Sequence, residues 1–391
     1  MGTETRGSIL TPASKGNVVG IKPSLGLTSR HLVIPITDRQ DTVGPLARTV
    51  LDAATVLQYM SGIDEYDNYT TAIPNNGQLP DYVAAVNKYP DLRGVRIGVP
   101  RNGIDDSQLY GSINRSYVLT AFEASLQVLR DLGAEVIDPA NFTDPMFSEY
   151  NLGLRSAGSN HQSINCGSGF VSGLAAYLSE LTENPQDLHS VNDTTQWTMR
   201  DAREDYPDRN VGLFEVAMSF GFNESDPRSY EAWQLGNELD LQGGVSGTCN
   251  ERNLTAVVLP TEYAPVWVSS PGLPAISVPM GAYPGDIPIQ EGLRELIGVA
   301  PGIPFGLSFL GPRWSEETLI GLAAAFEKAT NFRDAYVPGP NATVPTMEIA
   351  DVQKNGNVTA PVLSETSGSG RTTSTGLFMV LTIFIVAYGM C

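Results

Sequence analysis

Apolar positions along the chain follow two periods, and the period switches at glycine or proline. Val50, Ala53, Ala54, Leu57 and Met60 recur at helical spacing between Thr49 and Ser61, with Gly62 as a stop. Val118, Ala121, Phe122, Ser125, Leu126 and Leu129 mark a second helical face that ends at Gly133. Short apolar runs at 95–99 and 134–137 flank it, so strand, helix and strand predict a βαβ unit with a parallel pair. Further strands are predicted at 256–260, 275–279 and 305–310. The clearest helix comes last. Ser315 is placed to cap it, Glu316 and Glu317 sit near the positive end of its dipole, and Leu319, Leu322, Ala323 and Phe326 form its apolar face.

Residues 14–45 are rich in glycine and proline, which suits loops and short strands passing close to one another. Residues 63–92 read as a polar, turn-rich surface connection. The pattern is weakest over 140–250, where helices are plausible at 171–181 and 228–241; this reads as a less regular cap over the sheet. The expectation is an α/β fold, a mixed β-sheet core flanked by helices, over residues 1–335. A linker would follow over 336–370, and then a hydrophobic tail over 371–391.

At 391 residues with 41% apolar and 17% charged positions, the chain can bury a sizeable core. Its net charge of −19, with no basic stripe, excludes a nucleic-acid partner. His31, His161 and His189 stand in no H-E-x-x-H arrangement and no Cys-x-x-Cys occurs, which argues against a metal site. Cys166 and Cys249 either pair in an oxidising compartment or remain separate thiols; Cys391 is the last residue.

Two signals point to the secretory pathway and the cell surface. Glycosylation sequons start at Asn68, Asn114, Asn141, Asn192, Asn223, Asn253, Asn341 and Asn357, where composition alone would supply roughly three. Residues 377–391 carry no charge and are mainly apolar, and they follow a polar spacer and the small residues Ser367-Gly368-Ser369. That order matches a GPI-attachment signal, with Ser367 or Gly368 as the acceptor. The alternative is a short membrane anchor, although a span needs about twenty residues. Residues 1–6 carry no apolar leader. The expectation is therefore that a preceding segment is missing from this sequence.

The candidate chemistry lies at the start, in Gly2-Thr3-Glu4-Thr5-Arg6-Gly7-Ser8-Ile9-Leu10-Thr11-Pro12-Ala13. Glycines around a serine let successive backbone N–H groups converge beside its hydroxyl. Acyl transfer needs such an arrangement, a nucleophile within reach of donors for an oxyanion. A plain Gly/Ser/Thr turn is the alternative.

This stretch resembles the G-T-[DE]-T-x-G-S-I-x-x-P-A core of the amidase signature family. The likeness continues through Gly20-Ile21-Lys22-Pro23-Ser24 and Asp41-Thr42-Val43-Gly44-Pro45-Leu46-Ala47-Arg48-Thr49-Val50. It returns in Gly272-Leu273-Pro274-Ala275-Ile276-Ser277-Val278-Pro279 and Gly306-Leu307-Ser308-Phe309-Leu310-Gly311-Pro312-Arg313. Glu4 makes it more similar to the peptide-amidase and fungal or plant branch than to the tRNA-amidotransferase branch.

The resemblance implies hydrolysis of a small amide or peptide amide by a Ser–cisSer–Lys mechanism, without metal or organic cofactor. Ser8 would attack, and the backbone N–H groups of Thr5, Arg6, Gly7 and Ser8 would hold the oxyanion. In the family the cis serine lies roughly two dozen residues before the nucleophile, and the lysine further upstream. Only seven residues precede Ser8. The expectation is an N-terminally truncated amidase, inactive as this chain alone. Lys15 and Lys22 are not expected to serve as base, Lys22 because its Gly-x-Lys-Pro position is structural in the family.

Two positions depart from the family pattern. Arg6 would either hold an anionic substrate group or point to solvent or a surface carboxylate, and Leu10 replaces a common arginine. A non-catalytic surface glycoprotein on the same fold is the alternative function. A Ser-His-Asp hydrolase is disfavoured, since no G-x-S-x-G elbow occurs.

Overall fold

In the computed structural model, which describes residues 1–104, 115–143, 161–291 and 297–336, the serine-bearing stretch packs on one face of a mixed sheet. The chain runs through β1 (Gly2–Glu4), α1 (Leu10–Lys15), β2 (Val19–Lys22), β3 (Thr42–Gly44), β4 (Leu46–Ala47) and α2 (Val50–Met60). It continues with α3 (Tyr82–Ala85), β5 (Arg96–Gly98), α4 (Ser116–Asp131) and β6 (Glu135–Ile137). A helical stretch follows: α5 (His161–Glu180), α6 (Val191–Thr198), α7 (Gly212–Ser219), α8 (Pro227–Gly243) and α9 (Val245–Arg252). The chain then returns to the sheet with β7 (Ala256–Pro260), α10 (Pro265–Val268), β8 (Ala275–Ala282), β9 (Gln290–Glu291), β10 (Ile297–Val299) and β11 (Pro304–Leu310). It closes with α11 (Glu316–Thr330) and α12 (Phe332–Ala335).

Among the described residues, seven strands form one sheet in the order β4-β2-β8-β11-β7-β5-β6. The β7–β5 and β5–β6 pairs are parallel and the others antiparallel. The predicted βαβ unit is therefore present, with Ile97 opposite Val136. Period-two alternation divides β7 between two layers: Ala256 and Val258 join one apolar cluster, Val257 and Leu259 the other. The first cluster packs the sheet against α2, α4 and α11 through Leu57, Phe122, Leu126, Leu322 and Phe326. The second holds Leu10 of α1 with Trp267 of α10. Thus α1, which follows the serine, is anchored by an apolar contact on the opposite face of the sheet from α2.

α2 begins where expected, because the Thr49 side chain accepts a hydrogen bond from Asp52 N–H. α11 differs. Ser315 stands at its N-cap position, but its hydroxyl makes no capping bond. The weakly patterned region is more regular than expected, with five consecutive helices from residue 161 to residue 252. Phe170, Leu174, Leu178, Val191 and Ala217 give it a small apolar cluster of its own.

The Cys166–Cys249 pairing is corrected. Cys249 is a free thiol buried among Leu239, Val245 and Leu254, whereas Cys166 on α5 places its Sγ 3.0 Å from Gln40 Oε1. Asn68, Asn141, Asn192, Asn223 and Asn253 are all exposed. Asn114, Asn341, Asn357, Ser367, Gly368 and the apolar tail lie outside the described residues. No described helix is long and apolar enough to cross a membrane.

Candidate active site

Ser8 lies in the turn between β1 and α1, half-buried, with Gly7 and Ile9 buried on either side. β1 is held by an antiparallel pairing with β3 that sets Glu4 opposite Thr42. β3 in turn lies tight against β2: a Cβ on Gly44 would sit 2.0 Å from Ile21 O, so only glycine fits. The turn itself needs Gly7, whose φ of +83° is left-handed and whose missing Cβ leaves room for Thr11 and Pro265.

An account of the backbone N–H groups around the turn shows what it offers. Ile9 and Leu10 N–H donate to Glu4 Oε2 at 2.7 and 2.9 Å, and Thr11 N–H donates to Gly7 O at 2.7 Å. Pro12 has no N–H. Glu4 therefore takes up the first donors of α1, whose dipole its charge also complements. Among the described residues, the N–H groups of Gly7 and Ser8 have no hydrogen-bond partner. Two adjacent open donors beside a serine hydroxyl form an anion-binding nest at a helix start.

A second carboxylate braces the other end of the turn. Asp41 Oδ1 accepts from Thr5 Oγ1 at 2.5 Å, while Oδ2 accepts from Ile36 N–H at 2.7 Å and Thr37 N–H at 2.9 Å. Burial pushes its carboxyl up to about 6, although those hydrogen bonds and the Arg30 charge pull the other way. Asp41 belongs to a block quoted for its likeness to the family, yet its bond to Thr5 spans 36 residues and nothing local predicts it.

The remaining candidates fall away from the serine. Lys22 is fully buried and donates to Leu273 O at 2.8 Å and Pro23 O at 3.3 Å. Burial lowers it to about 8, against the nearby charges of Glu4 and Glu316. Lys15 occupies the far end of α1, roughly 10 Å along the axis from Ser8 at 1.5 Å per residue. Its ammonium reaches Gly298 O at 3.3 Å and lies 5.7 Å from the Tyr283 ring centre. His31 is exposed and stacks on Tyr66 with ring centres 4.7 Å apart, and His189 pairs with Asp187 at 2.7 Å. His161 is buried, and burial lowers it to about 4, so it is neutral. None of these groups hydrogen-bonds Ser8. Arg6 does not point to solvent: it is only 9% exposed, in a turn whose Glu4 and Gly7 are also enclosed. Leu10, in place of the family's arginine, is fully buried with Trp267 and Leu310.

Fold and site together define an α/β protein that presents a serine and a backbone nest from a glycine turn at a sheet-packed helix. The amidase family profile matches residues 1–215. An amidase homologue of Arthroderma benhamiae is 40% identical over 333 residues, covering 85% of this chain and 54% of that protein. A second, from Arabidopsis thaliana, is 34% identical over 341 residues, covering 85% and 57%. The crystal structure of the peptide amidase from Stenotrophomonas maltophilia superposes with a TM-score of 0.66 at 28% identity, over 84% of this chain and 62% of that one. The chain belongs to the amidase family and has its signature fold. It spans about half the length of the curated relatives it matches.

Proposed function

We propose that the whole protein hydrolyses the carbon–nitrogen bond of a small amide or peptide amide, with Ser8 as nucleophile and the Gly7 and Ser8 N–H groups at the core of the oxyanion hole. The observation that carries this reading is the pair of open donors. The Ile9 and Leu10 N–H groups are taken by Glu4 and that of Thr11 by Gly7 O, while those of Gly7 and Ser8, beside the Ser8 hydroxyl, are left unpaired among the described residues. In a tetrahedral intermediate they would meet the carbonyl oxygen as it gains charge, the arrangement that lowers the barrier to acyl transfer. Thr5 and Arg6 complete the turn, Thr5 fixed through Asp41.

A serine hydroxyl needs a partner to take its proton. No described lysine, histidine or carboxylate hydrogen-bonds Ser8, so the reaction belongs to a protein that also carries the family's lysine and second serine. The 391 residues alone are read as inactive. An amidase of Stenotrophomonas maltophilia named for peptides shares the fold, which favours a peptide amide over an alkyl one.

The decisive experiment treats the full-length gene product with a fluorophosphonate probe and maps the adduct by mass spectrometry. Modification of the Ser8 peptide, lost in Ser8→Ala together with ammonia release from a peptide amide, is expected. An unmodified Ser8 in an active preparation overturns the assignment.

We further read the protein as a glycosylated, surface-anchored product of the secretory pathway. This rests on eight sequons, on the exposure of the five asparagines within the described residues, and on the apolar tail. Removal of N-glycans from material made in a secreting host should raise its gel mobility. No shift would sink that placement.

A further inference from the structure

Three asparagines in the chain precede a glycine: Asn76, Asn102 and Asn355, the last outside the described residues. Asparagine is a chemically labile residue. In an Asn-Gly pair the backbone nitrogen of the glycine can attack the asparagine Cγ, and with no glycine side chain its approach is unhindered. The fold decides whether a given pair reacts, because the side chain and the following peptide unit must both be able to turn.

The two described pairs stand in opposite settings. Asn102 is fixed by side chain and backbone together. Its Nδ2 donates to Phe142 O at 2.9 Å, its Oδ1 accepts from Phe142 N–H at 3.0 Å, and its N–H donates to Asn141 Oδ1 at 3.3 Å. Gly103 is buried and donates to Pro100 O at 2.9 Å. It lies so close to Phe142 and Trp267 that a Cβ would sit 3.0 and 3.3 Å from them.

Asn76 belongs to the connection between α2 and α3; it is exposed, and its side-chain amide has no hydrogen-bond partner among the described residues. Asn75 and Asn76 both adopt left-handed backbone, with φ of +54° and +56°, which disfavours residues that carry a Cβ. At the Asn76 ψ of 38° the Gly77 nitrogen faces away from the side chain, so the turn has to open before a ring can close. Two bonds of 3.2 Å hold it shut, from Gly77 N–H to Pro74 O and from Gln78 N–H to Asn75 O. Residues 74–78 bury no apolar side chain. Opening therefore relieves the left-handed pair without exposing any core.

We propose that Asn76 is a site of spontaneous deamidation, and that the fold protects Asn102 from the same reaction. The Gly77 nitrogen forms a bond to Asn76 Cγ and gives its proton to solvent base, while the Cγ–Nδ2 bond breaks and ammonia departs. The product is a five-membered cyclic imide. Water then adds to either imide carbonyl and reopens the ring, leaving aspartate or isoaspartate at position 76. Either product adds a negative charge to a chain whose net charge is already −19, and isoaspartate also lengthens the loop backbone. The reaction consumes only water and is independent of the hydrolase reading.

The test incubates the full-length protein at mildly alkaline pH and physiological temperature, natively and in parallel in urea. Peptide mapping by mass spectrometry follows each site, and isoaspartate is quantified with an isoaspartyl methyltransferase. In the native protein the Asn76 peptide is expected to gain one mass unit at least tenfold faster than the Asn102 peptide, with isoaspartate exceeding aspartate. In urea the two rates should converge to within severalfold. Asn76→Gln, whose ring would have to be six-membered, should suppress the gain in its peptide; a gain that persists would place the reaction at Asn75 and overturn the assignment. A native Asn76 that reacts no faster than Asn102, or that yields aspartate without isoaspartate, also overturns it. An Asn102 as slow in urea as in the native protein would show that the fold is not what protects it.

Discussion

Replacing Asp41 by asparagine probes the electrostatics beneath the serine turn. Burial raises the Asp41 carboxyl from 3.8 to about 6. Between those values the folded chain keeps a proton that the unfolded chain has lost, so stability falls as pH rises through the window and levels off above it. The gap is about 2 pH units and corresponds to about 3 kcal/mol at 1.36 kcal/mol per unit. Asparagine removes the charge while every hydrogen-bonded pair of heavy atoms can persist. Its Oδ1 can accept from Ile36 and Thr37 N–H, while its Nδ2 donates to Thr5 Oγ1, which turns from donor to acceptor. The variant should therefore differ little from the natural chain near pH 4 and gain on it steadily, by up to about 3 kcal/mol at pH 7. Urea denaturation of both proteins in half-unit steps from about pH 4 to 7.5 measures this difference. Glu316, Glu224 and Asp240, which burial also raises, affect both proteins alike and cancel. A difference that stays flat across the range, or grows toward acid, would refute the reasoning.

Three other substitutions or reagents test separate parts of the site. Glu4→Ala leaves the buried Ile9 and Leu10 N–H groups without their acceptor; at about 1–3 kcal/mol for each, it should lower the unfolding free energy by about 2–6 kcal/mol in denaturant titration. Gly7→Ala forces a Cβ into left-handed backbone 3.0 Å from Thr11 Oγ1 and 3.3 Å from Pro265 Cγ. A loss of about 1–2 kcal/mol is expected, along with slower labelling of Ser8 in the full-length protein. Cys249 is 3% exposed and burial pushes its thiol up to about 12, so a thiol reagent at neutral pH should modify it only after denaturation. Modification of the Cys249 peptide in the native protein would contradict its place in the apolar cluster.

What the sequence makes legible follows from how each element is stabilised. β7 reads as an unbroken apolar run because both its faces meet apolar layers, and α11 shows a stripe because Leu319, Leu322, Ala323 and Phe326 all bury against the sheet. Such elements announce themselves through their local pattern. α5 is as long as any helix described, yet its N-terminal half escapes detection because its buried face is not apolar. Gly169 closes on Thr37, where a Cβ would lie 2.6 Å away; Gly173 closes on Pro35; and Ser168 bonds Ser229 at 2.7 Å. Small and hydroxyl side chains let α5 approach a loop and α8 closely, and that contact leaves no hydrophobic period to read.

The same distinction divides the site. A backbone nest is made by consecutive residues, so its glycine, serine and capping glutamate stand together as Glu4, Gly7 and Ser8, and the motif is visible. The brace from Asp41 is a single side chain arriving from 36 residues away, and it leaves no local trace. Neither carboxylate hydrogen-bonds Ser8. Their effect is to decide which backbone donors remain open, since Glu4 occupies those of Ile9 and Leu10 while Asp41 fixes the strand end at Thr5. On the proposed reading, the fit of the turn to a developing oxyanion is thus set by subtraction. A variant that frees Ile9 and Leu10 N–H should bind anions more broadly at the turn while hydrolysing amides less well, a separation that loss of folding alone would not produce.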